Sequence, residues 1–183
     1  QKKGMLTPQP VALLSRRTHG IPRELVLLTE GIPSGLSLRQ YVRQWLEAQP
    51  QRERMALKRH LIRRVAEFLA ALHLNGVYHG DLTANNMFIE PLEHDVRIYL
   101  IDLDSVRSTR WISRRRRLKN LDELGRNFLE LRLFSTADRV RFLACYLARY
   151  GSSTDSLRTL FYAVWQRTQE RLRKHRQQFA HSR

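Results

Sequence analysis

The chain has 183 residues, 42% of them hydrophobic, with 33 Lys and Arg against 17 Asp and Glu for a net charge of +16. That length and apolar content suit one domain with a real core and exclude a disordered tail. The charge calls for an anionic partner or surface, such as nucleic acid, phospholipid or a phosphorylated glycolipid, unless it is simply a solvated basic face. Cys145 is the single cysteine, so no internal disulfide can form and an oxidising compartment is not indicated. Its apolar surroundings in "RFLACYLARY" mark it as a core residue. No apolar run approaches the length of a membrane span, no signal peptide is legible, and Gln1 rather than Met stands first, which leaves open a longer parent product.

"VALL" at 11–14 and "ELVLLTE" at 24–30 are short apolar runs separated by turn residues, and they read as two strands of a hairpin. "GIPSG" at 31–35 is punctuated by Gly and Pro and reads as a linker. Ser37 is placed to cap a short helix carrying Leu38, Tyr41, Val42 and Trp45. Pro50 opens a long helix in which Leu61, Val65, Phe68 and Leu72 form one stripe, widened by Ile62 and Leu69. Its opposite face carries Arg52, Arg54, Lys58, Arg59, Arg63 and Arg64, and Asn75-Gly76 supplies a left-handed stop.

Two short strands, "MFIE" and "VRIYLI", follow, joined by a turn over 91–95. A second basic run contains Arg107, Arg110, Arg114, Arg115, Arg116, Arg117 and Lys119. The remainder is helical. Asn120 is expected to cap a helix with Leu121, Leu124, Phe128 and Leu131 on one stripe. Ser135 caps a second, with Val140, Leu143 and Leu147 inside and Gly151 at its end; a third starts near Asp155, with Leu157, Leu160, Val164 and Leu172 buried. His60, His73 and His94 lack ligand spacing and read as structural or solvated, so zinc is not expected, and the Trp and Phe stripes read as core. No internal repeat is present.

Between the long helix and the strand pair lies "VYHGDLTANNMFIE" at 77–90, where short polar groups crowd between apolar runs. His79, Asp81 and Asn86 fit the spacing H-x-D-x-x-x-x-N of a phosphoryl-transfer loop. In such a loop Asp81 accepts or orients the proton of an attacking hydroxyl, and the amide oxygen of Asn86 binds Mg²⁺. "VRIYLIDLDS" at 96–105 ends on Asp102 and Asp104. A carboxylate at that strand end reaches the same metal, because Mg²⁺ favours one or two carboxylates plus phosphate oxygens.

"HGDLTANNMFI", "IYLIDLDSVR" and "LVLLTEGIPSGLSLRQYV" resemble the bacterial lipopolysaccharide core kinase family, which phosphorylates Kdo or heptose sugars and has a protein-kinase-like fold. In that family Gly can follow the His, and Asp-Leu-Asp replaces Asp-Phe-Gly. The resemblance implies an α+β, protein-kinase-like fold, mainly the helical C-terminal lobe with a partial N-terminal lobe. Residues 1–30 would be the last two strands of the N-lobe sheet, 31–36 the hinge, and 37–183 the C-lobe. It implies ATP and Mg²⁺ as cofactors, with Asp81 the catalytic base, Asn86 and Asp102 the metal ligands, and His79 structural within the loop. Thr29 would stand at the gatekeeper position, Glu30 and Ile32 would offer hinge backbone groups to adenine, and Phe88 would lie beneath the ring.

Asp104 departs from the usual Gly and could bind metal or pair with a following Arg. Arg114, Arg115, Arg116 and Arg117 fall where such a fold puts its activation segment, either as anion contacts for the acceptor or as a solvated loop. The implied setting is cytoplasmic, peripheral on the anionic inner membrane, with a glycolipid or sugar acceptor. No Gly-rich loop, phosphate-binding Lys or helix Glu is recognisable, which keeps a catalytically inactive scaffold as an alternative. Nucleic-acid binding is the other alternative, without any helix-turn-helix, RNA-binding or zinc signature to support it.

Overall fold

The computed structural model describes residues 6–130, 133–151 and 155–180, so Leu131 of the expected stripe lies outside the described residues. The chain begins with a ribbon, β1 (Pro10–Thr18) antiparallel to β2 (Ile21–Thr29). Both strands are longer than their apolar runs, because Arg16, Arg17 and Thr18 continue the ladder to a two-residue turn at His19-Gly20, both at positive φ. Successive residues of a strand face opposite sides, yet Leu13 and Leu14 are 66% and 55% exposed. Neither face of this ribbon is covered, and Leu25, Val26, Leu27 and Leu28 are exposed with them.

After the 31–35 segment, β3 (Leu36–Ser37) joins a three-stranded antiparallel sheet in the order β3-β5-β6, with β5 spanning Met87–Pro91 and β6 Val96–Leu100. Ser37 caps α1 (Leu38–Gln40) through a capping box with Gln40. A π-helical turn over Tyr41–Leu46 follows, closed by Glu47 N–H to the Val42 carbonyl. The long helix α2 (Gln51–Leu74) buries Leu61, Ile62, Val65, Leu69 and Leu72 and leaves Phe68 half-buried at the edge of the stripe.

The expected stop holds: Asn75 caps α2 and Gly76 turns the chain with φ 68°. There a Cβ would lie 1.9 Å from the Thr109 carbonyl oxygen, so both the backbone sign and the packing require glycine. From Gly76 the chain enters β4 (Val77–His79), which pairs with β7 (Val106–Ser108) in a separate two-stranded sheet.

Three helices complete the fold: α3 (Arg114–Glu130), α4 (Thr136–Tyr150) and α5 (Leu157–Ala180). Here the structure corrects several expectations. Asn120 is no cap; α3 starts six residues earlier, and Asn120 sits buried on its inner face. Arg114 to Arg117 are therefore the first turn of a helix rather than a loop. Lys58 does not lie on the solvated face of α2: it is buried and meets Asp138 at 2.8 Å, tying α2 to α4. Asp138 also completes a capping box with Ser135, as the cap at that residue anticipates. Leu172 is exposed, Trp111 is 71% exposed rather than core, and Cys145 is half-buried against the core. Asp155 precedes α5 and is buried, because it pairs with Arg114 and Arg117.

Candidate active site

His79 is the last residue of β4, pairing with Val106, and it is 1% exposed. Its ring clamps two chain segments together. Nδ1 accepts the Asp81 N–H at 3.2 Å, and Nε2–H donates to the Ile101 carbonyl at 3.3 Å, one residue before Asp102. In that arrangement Nε2 carries the donated proton and Nδ1 is the acceptor. Gly80 N–H donates to the Ser105 carbonyl at 3.1 Å. A Cβ at Gly80 would come within 2.9 Å of the Ser105 Cβ, so the close approach of these segments depends on the missing side chain.

The loop then turns tightly through Thr83 N–H to Asp81 O and Asn86 N–H to Thr83 O. Asn86 Nδ2 donates to the Asp81 carbonyl at 2.9 Å and approaches Asp81 Oδ2 at 3.4 Å. This fixes the amide, and Asn86 Oδ1 is left without a partner among the described residues. The Asn86 carbonyl accepts Ile101 N–H at 3.1 Å, which sets it beside the strand end that carries Asp102.

Asp102 is exposed and left-handed, with φ 56° and ψ 62°. That conformation costs an L-residue about 1 kcal/mol, and Asp is among the few that adopt it. Asp104 lies two residues on, exposed in the 3₁₀ turn Leu103–Ser105.

Helix α3 braces the loop's backbone, a contribution the sequence reading missed. Asn120 Nδ2 donates to the His79 carbonyl at 2.6 Å, Lys119 Nζ donates to the Gly80 carbonyl, and Asn127 Oδ1 accepts Ala84 N–H at 3.2 Å. From the other side, Arg39 N–H reaches the Ala84 carbonyl at 3.3 Å. Glu123 links the brace, meeting Lys119 at 2.8 Å and Asn120 at 3.2 Å. The signal was present in the sequence: 120, 123 and 127 form a polar stripe at helical spacing beside the apolar one.

Asn120 is in turn held by a buried chain. His73 Nε2–H donates to Asn120 Oδ1 at 3.2 Å, and His73 Nδ1 accepts from the Tyr146 hydroxyl at 2.9 Å. Burial, with Arg117 acting in the same sense, lowers the His73 pKa to about 4 against the raising effect of Asn120, so the ring is neutral at pH 7.

At the ribbon's end, Thr29 pairs with Pro10 and Glu30 N–H is engaged by the Gln9 carbonyl at 2.8 Å, so Glu30 can offer only its carbonyl. The Ile32 carbonyl accepts Gly35 N–H at 2.9 Å, while the Ile32 N–H has no partner among the described residues. Phe88 is half-buried on β5, paired with Ser37, so the 31–35 segment leads directly to it. Arg114, Arg115, Arg116 and Arg117 divide into two kinds. Arg114 and Arg117 meet Asp155 at 3.0 and 3.1 Å, and Arg117 is buried over the Tyr150 ring, which corrects its reading as an exposed anion contact. Arg115 is exposed, and Arg116 lies 5.4 Å from the Tyr78 ring centroid.

Among the described residues no three His, Cys, Asp or Glu side chains gather into a metal cage. The available donor set is a carboxylate at Asp102 and the amide oxygen of Asn86, which has no partner among the described residues. Two hard oxygen ligands fit Mg²⁺ that completes its shell from phosphate and water.

The chain belongs to the lipopolysaccharide kinase (Kdo/WaaP) family, whose model matches residues 1–146. A solved structure described as WaaP in complex with acyl carrier protein resembles it with a TM-score of 0.70, over 92% of this chain and 70% of that chain, at 23% sequence identity. At that identity the likeness establishes a shared mixed α/β fold. No curated protein matches the chain.

Proposed function

We propose that the chain carries the catalytic loop and metal ligands of an ATP-dependent kinase acting on a Kdo or heptose sugar of the lipopolysaccharide core. The observation that carries this reading is the His79 clamp, which ties the Asp81 backbone to the strand end bearing Asp102. In this reading Asp81 orients and deprotonates the acceptor hydroxyl, and Asn86 Oδ1 and Asp102 hold Mg²⁺. ATP with Mg²⁺ supplies the transferable phosphoryl group and neutralises its charge. The Glu30 carbonyl and Ile32 N–H take the adenine edge, Thr29 backs it, and Phe88 underlies it.

The β1–β2 ribbon serves as two strands of an N-terminal sheet, residues 31–36 as the hinge, and residues from 37 onward as the C-lobe. The uncovered apolar faces of the ribbon support that assignment. The protein works at the cytoplasmic face of the inner membrane, peripherally, with the exposed Arg52, Arg59 and Arg63 of α2 toward anionic lipid. No helix among the described residues is long and apolar enough to cross a membrane. The test is calorimetric titration of Mg²⁺ and ATP into the chain and into Asp102→Asn. Weak, Mg²⁺-dependent heat that vanishes in Asp102→Asn is expected, because no phosphate-binding Lys is recognisable. Equal heats from both proteins would remove Asp102 from the site.

A further inference from the structure

Beside the loop, on the far side of β4 from the α2 core, lies an open cleft of about 710 Å³. Its walls come from β4, the segment after β7, the first turns of α3, and α5. Five cationic side chains line it: Arg115, Arg116 and Lys119 from α3, and Arg167 and Arg171 from α5. No carboxylate lines it. The cations that do have carboxylate partners are Lys119, which meets Glu123 at 2.8 Å, and Arg167 and Arg171, which share Asp122 with Arg126 at 3.4 to 3.7 Å. Arg115 and Arg116 have no carboxylate partner among the described residues.

The placement of these arginines violates a local rule. Cations are disfavoured at the N-terminus of a helix, whose macrodipole is positive there, yet α3 opens on four arginines and has no acidic residue in its first turn. Asp155 compensates Arg114 and Arg117. Among the described residues Arg115 and Arg116 have no carboxylate to do so, Arg116 having only the Tyr78 ring at 5.4 Å, and charge without a counter-ion in a concave site is a cost that a bound anion removes.

We infer that this cleft is a phosphate subsite, taking a phosphate group already present on the acceptor rather than the one transferred. This rests on the kinase reading for the word acceptor, but not for the binding itself. Guanidinium groups present planar forks that match phosphate oxygens, and several converging from two helices suit a dianionic phosphomonoester. The Ser113 hydroxyl, which accepts from Arg116 N–H at 3.4 Å, keeps its own hydrogen to donate, while the Thr109 hydroxyl donates to the Trp111 carbonyl at 2.8 Å and can only accept. Trp111, 71% exposed at the cleft edge, offers an aromatic face to a sugar ring.

The cleft also adjoins the catalytic loop. Lys119 both lines it and donates to the Gly80 carbonyl, and Tyr78 stands three residues before Asp81, at most roughly 11 Å along the chain. The cleft and the loop thus share Lys119, and a short oligosaccharide phosphorylated on one sugar is the acceptor class that would span from one to the other.

The experiment is titration without nucleotide, at 0.15 M salt, with inorganic phosphate, glucose 6-phosphate, glucose, and vesicles with or without phosphatidic acid. The parent chain is compared with Arg115→Gln/Arg116→Gln and with Arg52→Gln/Arg59→Gln on the far face of α2. The sugar phosphate should bind and glucose should not. The cleft variant should weaken that binding at least tenfold, and the α2 variant should not change it. In phosphate-free buffer the cleft variant should melt no lower than the parent, since it removes repulsion, so lost binding cannot be ascribed to misfolding.

Tighter binding of the sugar phosphate than of inorganic phosphate or the vesicles supports a soluble sugar phosphate as the source. Preference for phosphatidic acid vesicles, lost in the cleft variant, supports a lipid-linked phosphate in the same cleft. Equal weakening of sugar phosphate binding by both variants, or none by the cleft variant, overturns the subsite. Neither result bears on Mg²⁺ and ATP binding, which Asp102→Asn tests separately.

Discussion

Asn120 faces two histidines at once: its Nδ2 donates to the His79 carbonyl at 2.6 Å, and its Oδ1 accepts from His73 Nε2 at 3.2 Å. A buried side chain on α3 thereby couples the end of α2 to the loop that carries Asp81. Replacing Asn120 by Leu strands both partners. Each unsatisfied buried group costs about 1–3 kcal/mol, so Asn120→Leu should lose roughly 3 kcal/mol in urea unfolding. It should also loosen the loop, raising amide exchange at Gly80 and Asp81 more than at the remote turn of β1–β2.

His73 gives the fold a pH dependence whose sign follows from burial. Its native pKa, about 4, lies below the unfolded value of 6.5. Above pH 6.5 both states are neutral and the contribution is fully present. As pH falls the unfolded chain takes up a proton that the native ring refuses, and stability drops until pH 4. The linked loss approaches roughly 3 kcal/mol. Asp138 does not confound this window: burial would raise its pKa, but Lys58 and Ser135 hold it below the ordinary carboxylate value. The urea midpoint should fall between pH 7 and pH 4.5, and His73→Gln should flatten that fall.

Gly76 and Gly80 should respond differently to a methyl group. At Gly76 the added carbon meets the Thr109 carbonyl oxygen at 1.9 Å with φ at 68°, so Gly76→Ala must part β4 from the segment after β7. A loss of about 3 kcal/mol or more in thermal or urea unfolding is expected. At Gly80, where φ is not left-handed, the contacts are 2.9 Å to the Ser105 Cβ and 3.0 Å to its carbonyl oxygen, so the Ser105 segment must shift slightly but no strand pair need part. Gly80→Ala should cost about 1 kcal/mol in stability. Because Ser105 also approaches His79 Nδ1 at 3.4 Å, it should cost turnover more than fold.

Much of this arrangement was legible in the sequence because its signals are local. The caps at Ser37 and Ser135 and the stop at Asn75-Gly76 each depend on residues within one turn of each other, and the H-x-D-x-x-x-x-N spacing spans only eight residues. What escaped depends on contacts between distant segments. Lys58 reads as one more cation on a basic face until Asp138, 80 residues on, buries it. Asn120 reads as a cap because caps are where a helix-start Asn belongs. Four arginines before it hide the true start of α3, since only the buried Asp155 makes that start tolerable. The Glu30 N–H reads as free for a ligand until the register of the ribbon engages it with Gln9.

The central claim is that Asp81 acts on the acceptor while Asn86 and Asp102 act on the metal nucleotide. It is tested most directly by phosphoryl transfer from γ-labelled ATP to lipopolysaccharide core whose target hydroxyl is free, using the protein and its Asp81→Asn form. Loss of a general base lowers kcat by about 10²–10⁴-fold. The account predicts a fall of that size with nucleotide affinity within about threefold of the parent, since Asp81 contacts the acceptor hydroxyl. An unchanged kcat, or a loss confined to ATP binding, would contradict it.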